Sequence, residues 1–372
     1  MKKNHTASAA AAMAAAFVLA LAACTPSNEA TSPVQSAGGT GDPAVTALTG
    51  TLNGAGASSQ ESAMEVWRAA FQDANPGLTI NYDPVGSGGG RTQFLEGAVA
   101  WAGSDSALAE EEYAAALDVC GPEGAINLPI YISPIAVVFN LSGIDSLNLD
   151  ADTIARIFDG QVTRWNDAAI AELNPGVELP DIAITPVHRG DESGTTKNFT
   201  DYLAQAAPES WPHKASGDWP TSTGESGQGT SGLVQIVTDT EGAIGYADAS
   251  KVGSLGVVSI QVGDGFVAPS GTGAGIALAS SQLTSVNGED DLAYELDRTT
   301  TASGAYPLML VSYVIVCQRY EDAQVRANVT GFLSYVASPQ GQADAALAAG
   351  SAPLPAELSA RIEGILERIA AR

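Results

Sequence analysis

"DIAITPVHRGDESGTTKNFTDYLAQA", residues 181–206, passes from an apolar extended run through a turn of glycines and hydroxyls into a helical pattern. Residues 181–188 read as a strand and 195–206 as a helix. Between them, an arginine, an aspartate and a Ser-Gly-Thr-Thr run crowd into a few positions. A strand that turns straight into a helix start is the building unit of α/β folds. It also leaves the first helical N–H groups facing whatever lies beyond the strand end.

Three further stretches share this layout. Asn53-Gly54-Ala55-Gly56-Ala57-Ser58-Ser59 follows a short apolar segment and precedes a helix over 61–75, whose Met64, Trp67 and Phe71 share one face before Asn75-Pro76-Gly77 ends it. Gly86-Ser87-Gly88-Gly89-Gly90 follows a strand in which Leu78, Ile80 and Tyr82 alternate with polar residues. Gly103-Ser104-Asp105 closes the short run 99–102. Elsewhere the pattern predicts helices over 107–118 and near 150–158, 163–173 and 230–238. It predicts strands over 243–247 and 308–318, and a long extended run over 127–140 interrupted by Pro129 and Pro134. The last 50 residues read as helical, with a break near 350–355. The alternation predicts an α/β fold with mainly parallel sheets. No repeat of fixed period is present.

The 372-residue chain is 45% hydrophobic and carries 42 Asp and Glu against 16 Lys and Arg, a net charge of −26. Such a balance excludes nonspecific binding to nucleic acid or to an anionic membrane surface. Lys2 and Lys3, the charge-free stretch 7–23 and Leu21-Ala22-Ala23-Cys24 read as a signal peptide (1–23) with a lipoprotein processing box, Cys24 becoming the lipidated N-terminus. The alternative is an uncleaved anchor, for which the alanine-rich run is barely long enough. Residues 24–43, rich in Ser, Thr, Pro and Gly, read as the lipidated cysteine and a flexible spacer. About 330 residues follow, more than one ordinary core supports, so two lobes are expected. Cys120 and Cys317 remain; in an exported chain the pair suggests one disulfide, with two separate buried thiols as the alternative.

Glycines that let the backbone approach a ligand, hydroxyl donors and helix N-termini together make an anion site, beyond the carboxyl ends of the strands as in other α/β folds. Each stretch alone also reads as an ordinary N-cap or turn, and Arg189–Asp191 as a surface ion pair. Gly-Ser-Gly-Gly-Gly is not a P-loop, since no Gly-Lys-Ser/Thr follows it. A serine hydrolase built on Ser58 or Ser193 needs a base. Beyond the leader only His188 and His213 are present, with no G-x-S-x-G. No metal-ligand spacing is found, and no cofactor is expected.

In order and spacing, these stretches resemble the phosphate-binding subunit of the bacterial high-affinity phosphate ABC transporter, the PstS-like family. The resemblance includes Thr163-Arg164-Trp165-Asn166-Asp167 through Leu173-Asn174-Pro175-Gly176, and Gly242-Ala243-Ile244-Gly245-Tyr246. Its most specific piece is Arg189-Gly190-Asp191-Glu192-Ser193-Gly194-Thr195. It implies a two-lobed periplasmic-binding-protein fold of the type II clamshell kind. Lobe I would comprise 44–133 plus 308–372 and lobe II 134–307, with hinge strands near 132–136 and 306–308. It implies a monomeric, extracytoplasmic, lipid-anchored carrier that is not an enzyme and hands inorganic phosphate to a membrane permease.

Carried over residue by residue, Ser58 would donate to phosphate through hydroxyl and backbone, Ser59 through its backbone N–H, and Ser87 from the glycine-rich loop. Arg189 would give two charge-assisted bonds, with Asp191 orienting it, and Ser193, Gly194 and Thr195 would close the far side. Family members often carry Thr-Phe where Ser58-Ser59 stands here. Asp105 would select the ligand: phosphate near neutral pH keeps a proton to donate to a carboxylate, whereas sulfate has none. Another oxyanion carrier, for sulfate, molybdate or phosphonate, is the alternative.

Overall fold

The computed structural model describes residues 47–285 and 287–371; the predicted signal peptide, Cys24 and the spacer to residue 43 lie outside the described residues. The chain begins with β1 (Gly50–Gly56), α1 (Glu61–Ala74), β2 (Leu78–Asp83), α2 (Ser87–Leu95), β3 (Trp101–Ser104), α3 (Glu110–Cys120) and the long β4 (Ala125–Phe139). Next come β5 (Ser146–Leu149), α4 (Ala151–Phe158), α5 (Ala168–Leu173), β6 (Thr185–Arg189), α6 (Gly194–Ala206), β7 (Glu225–Gly227), α7 (Gly229–Asp239) and β8 (Ala243–Asp248). It continues through β9 (Gly256–Val262), β10 (Gly265–Val267), α8 (Gly271–Ala279), β11 (Gln282–Ser285), β12 (Leu292–Glu295) and β13 (Met309–Cys317). Helices α9 (Ala323–Ala337), α10 (Pro339–Ala349) and α11 (Ala356–Ala370) end it.

Local chemistry sets most boundaries. Helix α1 buries Ala63, Met64, Trp67 and Phe71, the spacing of one helical face. Asp150, Ser193, Asp322 and Ser338 cap α4, α6, α9 and α10 by accepting first-turn N–H groups. The helix expected over 163–173 begins only at Ala168, because Asp167 accepts the Ala169 N–H as a cap and Arg164 bridges back to Ala183. The strand expected from residue 181 starts at Thr185; Asp181 is instead held by Arg164. The helix expected over 107–118 starts later, at Glu110, since the Leu108 N–H is taken by the Asn127 side chain.

The main sheet runs β2-β1-β3-β13-β4-β8-β6-β7, with β9 joining β4, β5 and β10. Pairings around β1 and β6 are parallel, whereas those of the long strands β4 and β13 are antiparallel. The sheet is therefore mixed, because β4 and β13 cross the molecule in opposite directions. Strand β4 is buried along its whole length and is not broken by its prolines. Pro129 is accommodated by a register shift opposite Ser312/Tyr313, a bulge that excuses its missing donor. At Pro134 the partner changes: residues up to there pair with β13, and Ile135–Phe139 pair with β8. There the Ile135 N–H donates to the Leu308 carbonyl, and the Tyr306 hydroxyl to the Ile135 carbonyl, each at 2.9 Å.

Cys120, at the end of α3, is bonded to Cys317, at the end of β13, with Cα atoms 5.1 Å apart. Among the described residues, no helix is long and apolar enough to cross a membrane.

Candidate functional site

Strands β1, β2 and β3 run parallel, so their carboxyl ends lie on one edge; β6 and β7 present theirs likewise at Arg189 and Gly227. From these ends start the 3-10 turn Ser58–Gln60 leading into α1, and helices α2, α6 and α7. Each exposes first-turn N–H groups and a partial positive charge. Two glycines make the approach of these loops possible. Gly86 lies at φ +92°, and a Cβ on it would reach within 3.3 Å of Arg189 Nη2 and the Glu192 carbonyl. A Cβ on Gly194 would meet Ser87 Oγ and Asp105 Cβ, each at 2.6 Å. The glycine-rich loop and the 189–195 turn thus pack directly on one another, a convergence that no single motif reveals.

Asp105 lies at the centre, 3% exposed. Its Oδ1 accepts hydrogen bonds from Ser59 Oγ at 2.6 Å and Ser312 Oγ at 2.5 Å, and its Oδ2 from Thr195 Oγ1 at 2.8 Å. Burial pushes the carboxyl above its ordinary range, while the three hydroxyls and the Arg189 charge pull the other way. Arg189, also 3% exposed, donates through Nε to Asp191 Oδ1 at 2.8 Å and through Nη2 to Oδ2, a bidentate pair. Asp191 is fixed in turn by the Gly229 N–H at 3.0 Å.

Ser58 and Thr230 share a hydroxyl–hydroxyl bond of 2.8 Å, and Ser58 Oγ also accepts the Thr230 N–H. Ser87 Oγ accepts the Asp105 N–H at 3.1 Å, and Ser193 Oγ caps α6 through the Thr196 N–H. Thr195 turns its hydroxyl onto Asp105, so Gly194 and Thr195 face the centre from the first turn of α6.

Several residues at the site have no counterpart in the sequence reading. Thr230 begins α7 in a Gly-Gln-Gly-Thr-Ser-Gly run of the same character as the other four, which is the signal that marks it. Ser312 is the one serine inside the apolar strand β13, and Gln60 a buried amide in the 3-10 turn. Arg91, on α2, is a second nearly buried cation. It bonds Glu112 at 2.8 Å, Glu192 at 3.2 Å, and the Ser104 and Ser106 hydroxyls. Beside Asp105 opens a cavity of about 780 Å³, lined in part by Lys197, Asn198, Asp201 and Arg298.

The arrangement is that of a small-anion receptor: a buried centre of fixed dipoles, one guanidinium and one acceptor. Both histidines among the described residues are engaged elsewhere. His188 stacks on Trp219 at 4.9 Å, and His213 Nε2 bonds Asp159 at 2.8 Å. Among the described residues, no group of three or more His, Cys, Asp or Glu could hold a metal ion.

Comparison with known proteins agrees with this geometry. A sequence model of the PBP superfamily domain matches residues 37–340. Phosphate-binding protein PstS 3 of Mycobacterium tuberculosis is 36% identical over 329 residues, covering 86% of this chain and 87% of its own. Phosphate-binding protein PstS of Xylella fastidiosa is 32% identical, covering 84% of this chain and 85% of its own. Among solved structures, a high-affinity periplasmic phosphate-binding protein, PfluDING, superposes with a TM-score of 0.69. It is 20% identical and covers 84% of this chain and 93% of its own. The phosphate-binding protein of Stenotrophomonas maltophilia gives 0.64 at 19% identity, covering 85% and 94%. At that identity the superpositions establish the periplasmic-binding-protein fold, and the sequence relatives establish the rest: the chain belongs to the PstS-like family of phosphate-binding proteins.

Proposed function

We propose that this chain binds inorganic phosphate between two lobes and delivers it to the membrane permease of a phosphate ABC transporter. Phosphate sits among Ser58, Ser59, Ser87, Arg189, Ser193, Gly194 and Thr195, and donates a hydrogen bond to Asp105. The observation that carries this reading is Asp105 itself. A buried carboxylate placed where helix N-termini converge suits an anion only if that anion brings a hydrogen-bond donor.

The change of partner along β4 at Pro134 supports lobes of 44–133 plus 308–372 and 134–307, with the adjoining segments 132–136 and 306–308 as hinges. Ser58–Thr230, Asp105–Thr195, Arg91–Glu192 and Lys251–Glu61 would then be contacts across the closed cleft. Cys24, after removal of residues 1–23, carries the lipid that tethers a monomer outside the cytoplasm. The chain performs no chemistry on its ligand and needs no cofactor.

Calorimetric titration of the protein lacking residues 1–24, freed of ligand, tests the reading. Tight binding of phosphate without a sulfate response is expected; equal binding of both anions would overturn it.

A further inference from the structure

Asp105 can select a protonated anion only while it remains an acceptor. A protonated Asp105 would donate instead, and sulfate would find the partner it otherwise lacks. Burial works toward protonation of Asp105, which in turn raises the pKa of Asp248, another fully buried carboxylate. The other titratable groups around Asp105 are Arg189, whose charge favours the carboxylate, the buried phenols Tyr82 and Tyr131, which are neutral, and Lys197, Asp201 and Arg298 in the adjoining cavity. Something must hold the proton off.

The hydrogen bonds behind Asp105 have a fixed direction. Gln60 Nε2 lies 3.0 Å from the Tyr313 carbonyl oxygen, which can only accept, so the amide nitrogen must be on that side. The same nitrogen lies 2.6 Å from Ser312 Oγ, which therefore accepts from it. The single proton of Ser312 is left to point at Asp105 Oδ1, 2.5 Å away. Gln60 keeps this orientation although its own Oε1 is buried without a hydrogen-bond partner among the described residues. An orphaned buried acceptor is tolerated only against a stronger demand on the other side of the amide.

We propose that Gln60 and Ser312 form a proton-ordering relay that fixes Asp105 as an acceptor-only carboxylate, and that they are positioning residues for anion selectivity. Ser59 completes the device from the other side, placing a second hydroxyl proton on the same Oδ1. Both lone pairs of Oδ1 are then occupied, and Thr195 takes one of those on Oδ2. One acceptor site remains on the carboxylate, the number that a single phosphate proton fills. The inference rests on phosphate being the ligand.

The test is a pH series. The full-length chain in detergent, freed of bound anion, is titrated with phosphate and with sulfate between pH 5 and pH 8. Wild type and the variants Ser312→Ala, Ser312→Thr and Gln60→Met are compared. Loss of one donor to the carboxylate shifts its titration upward by about one unit, a factor of roughly ten in the protonated fraction. The preference for phosphate over sulfate in Ser312→Ala is therefore expected to fall about tenfold more between pH 8 and pH 5 than in wild type. Gln60→Met moves the same way, and Ser312→Thr, which keeps the hydroxyl, restores the wild-type profile. A merely structural role for Ser312 would weaken both anions together with no change in pH profile. If wild type binds phosphate tightly and all four proteins share one pH profile of selectivity, the relay is overturned. If wild type binds no phosphate, the underlying reading of the ligand fails instead.

Discussion

Thr195 and Asp105 stand 90 residues apart in the chain and meet hydroxyl to carboxylate at 2.8 Å, joining the first turn of α6 to the end of β3. The hydroxyl is a donor here but is able to accept. Asp105→Asn can therefore be accommodated: the amide oxygen keeps Ser59 and Ser312 as donors, while the amide nitrogen turns toward Thr195 and the ligand. The variant offers an N–H to the anion where wild type offers a lone pair. Relief of one unpaired charged contact, about 2–5 kcal/mol, predicts a sulfate affinity raised roughly 30-fold to several thousandfold. Calorimetry with sulfate measures it; a variant that still rejects sulfate would remove Asp105 from its discriminating role.

Arg189 is nearly buried, and its guanidinium is locked flat by Asp191 through two parallel bonds. Lysine carries the same charge but has neither the fork nor the plane. Arg189→Lys is expected to lose on the order of hundredfold in phosphate affinity, the scale of one or two charge-assisted hydrogen bonds. Affinity within a factor of about two of wild type would mean that the cation acts only as a distant point charge.

How much of this was legible beforehand depended on range. The four glycine and hydroxyl turns, the cap residues and the amphipathic face of α1 are local, and local chemistry writes itself into spacing. That the turns converge is not local: the contact of Gly86 with the 189–195 loop follows from the strand order, and strand order has no signature in spacing. Strands β9 to β12 and helix α8 gave no periodic signal strong enough to place them. β10, β11 and β12 are only three or four residues long, and α8 is apolar on nearly every face. Pro129 and Pro134 misled in one respect, since each marks a change in pairing along β4 and not a break in it. Ser312 was hidden for a different reason. A serine in an apolar strand reads as a filler until the carboxylate beside it is seen.

The Cys120–Cys317 bond closes a loop spanning 197 positions. Non-reducing peptide mapping of the protein is expected to find the two cysteines in one linked peptide; free thiols at both positions would sink the assignment. Replacing both by serine removes the restriction on the unfolded chain, which for so long a loop costs about 5 kcal/mol in the chain-entropy account. The urea midpoint should fall accordingly, while phosphate affinity changes little, because both cysteines lie at the far ends of α3 and β13 from Asp105.

Asp248 ends β8 fully buried, its two carboxylate oxygens each 3.2 Å from the Tyr131 hydroxyl, and burial pushes its pKa from 3.8 to about 6. A folded-state value above the unfolded one means that the native protein holds a proton the unfolded chain releases. Stability contributed by this group is therefore complete below about pH 4, falls as the pH rises toward 6, and is flat beyond. The neutral Asp248→Asn variant keeps an oxygen for Tyr131 and does not titrate. Its stability relative to wild type should climb through the same window and level off above it. The gain is bounded by the shift itself, on the order of 3 kcal/mol. Urea unfolding at pH 4, 5, 6 and 8 reads the difference directly. A difference independent of pH would show that Asp248 is held as a carboxylate in the folded protein, with Tyr131 and the Ser250 N–H compensating its burial in full.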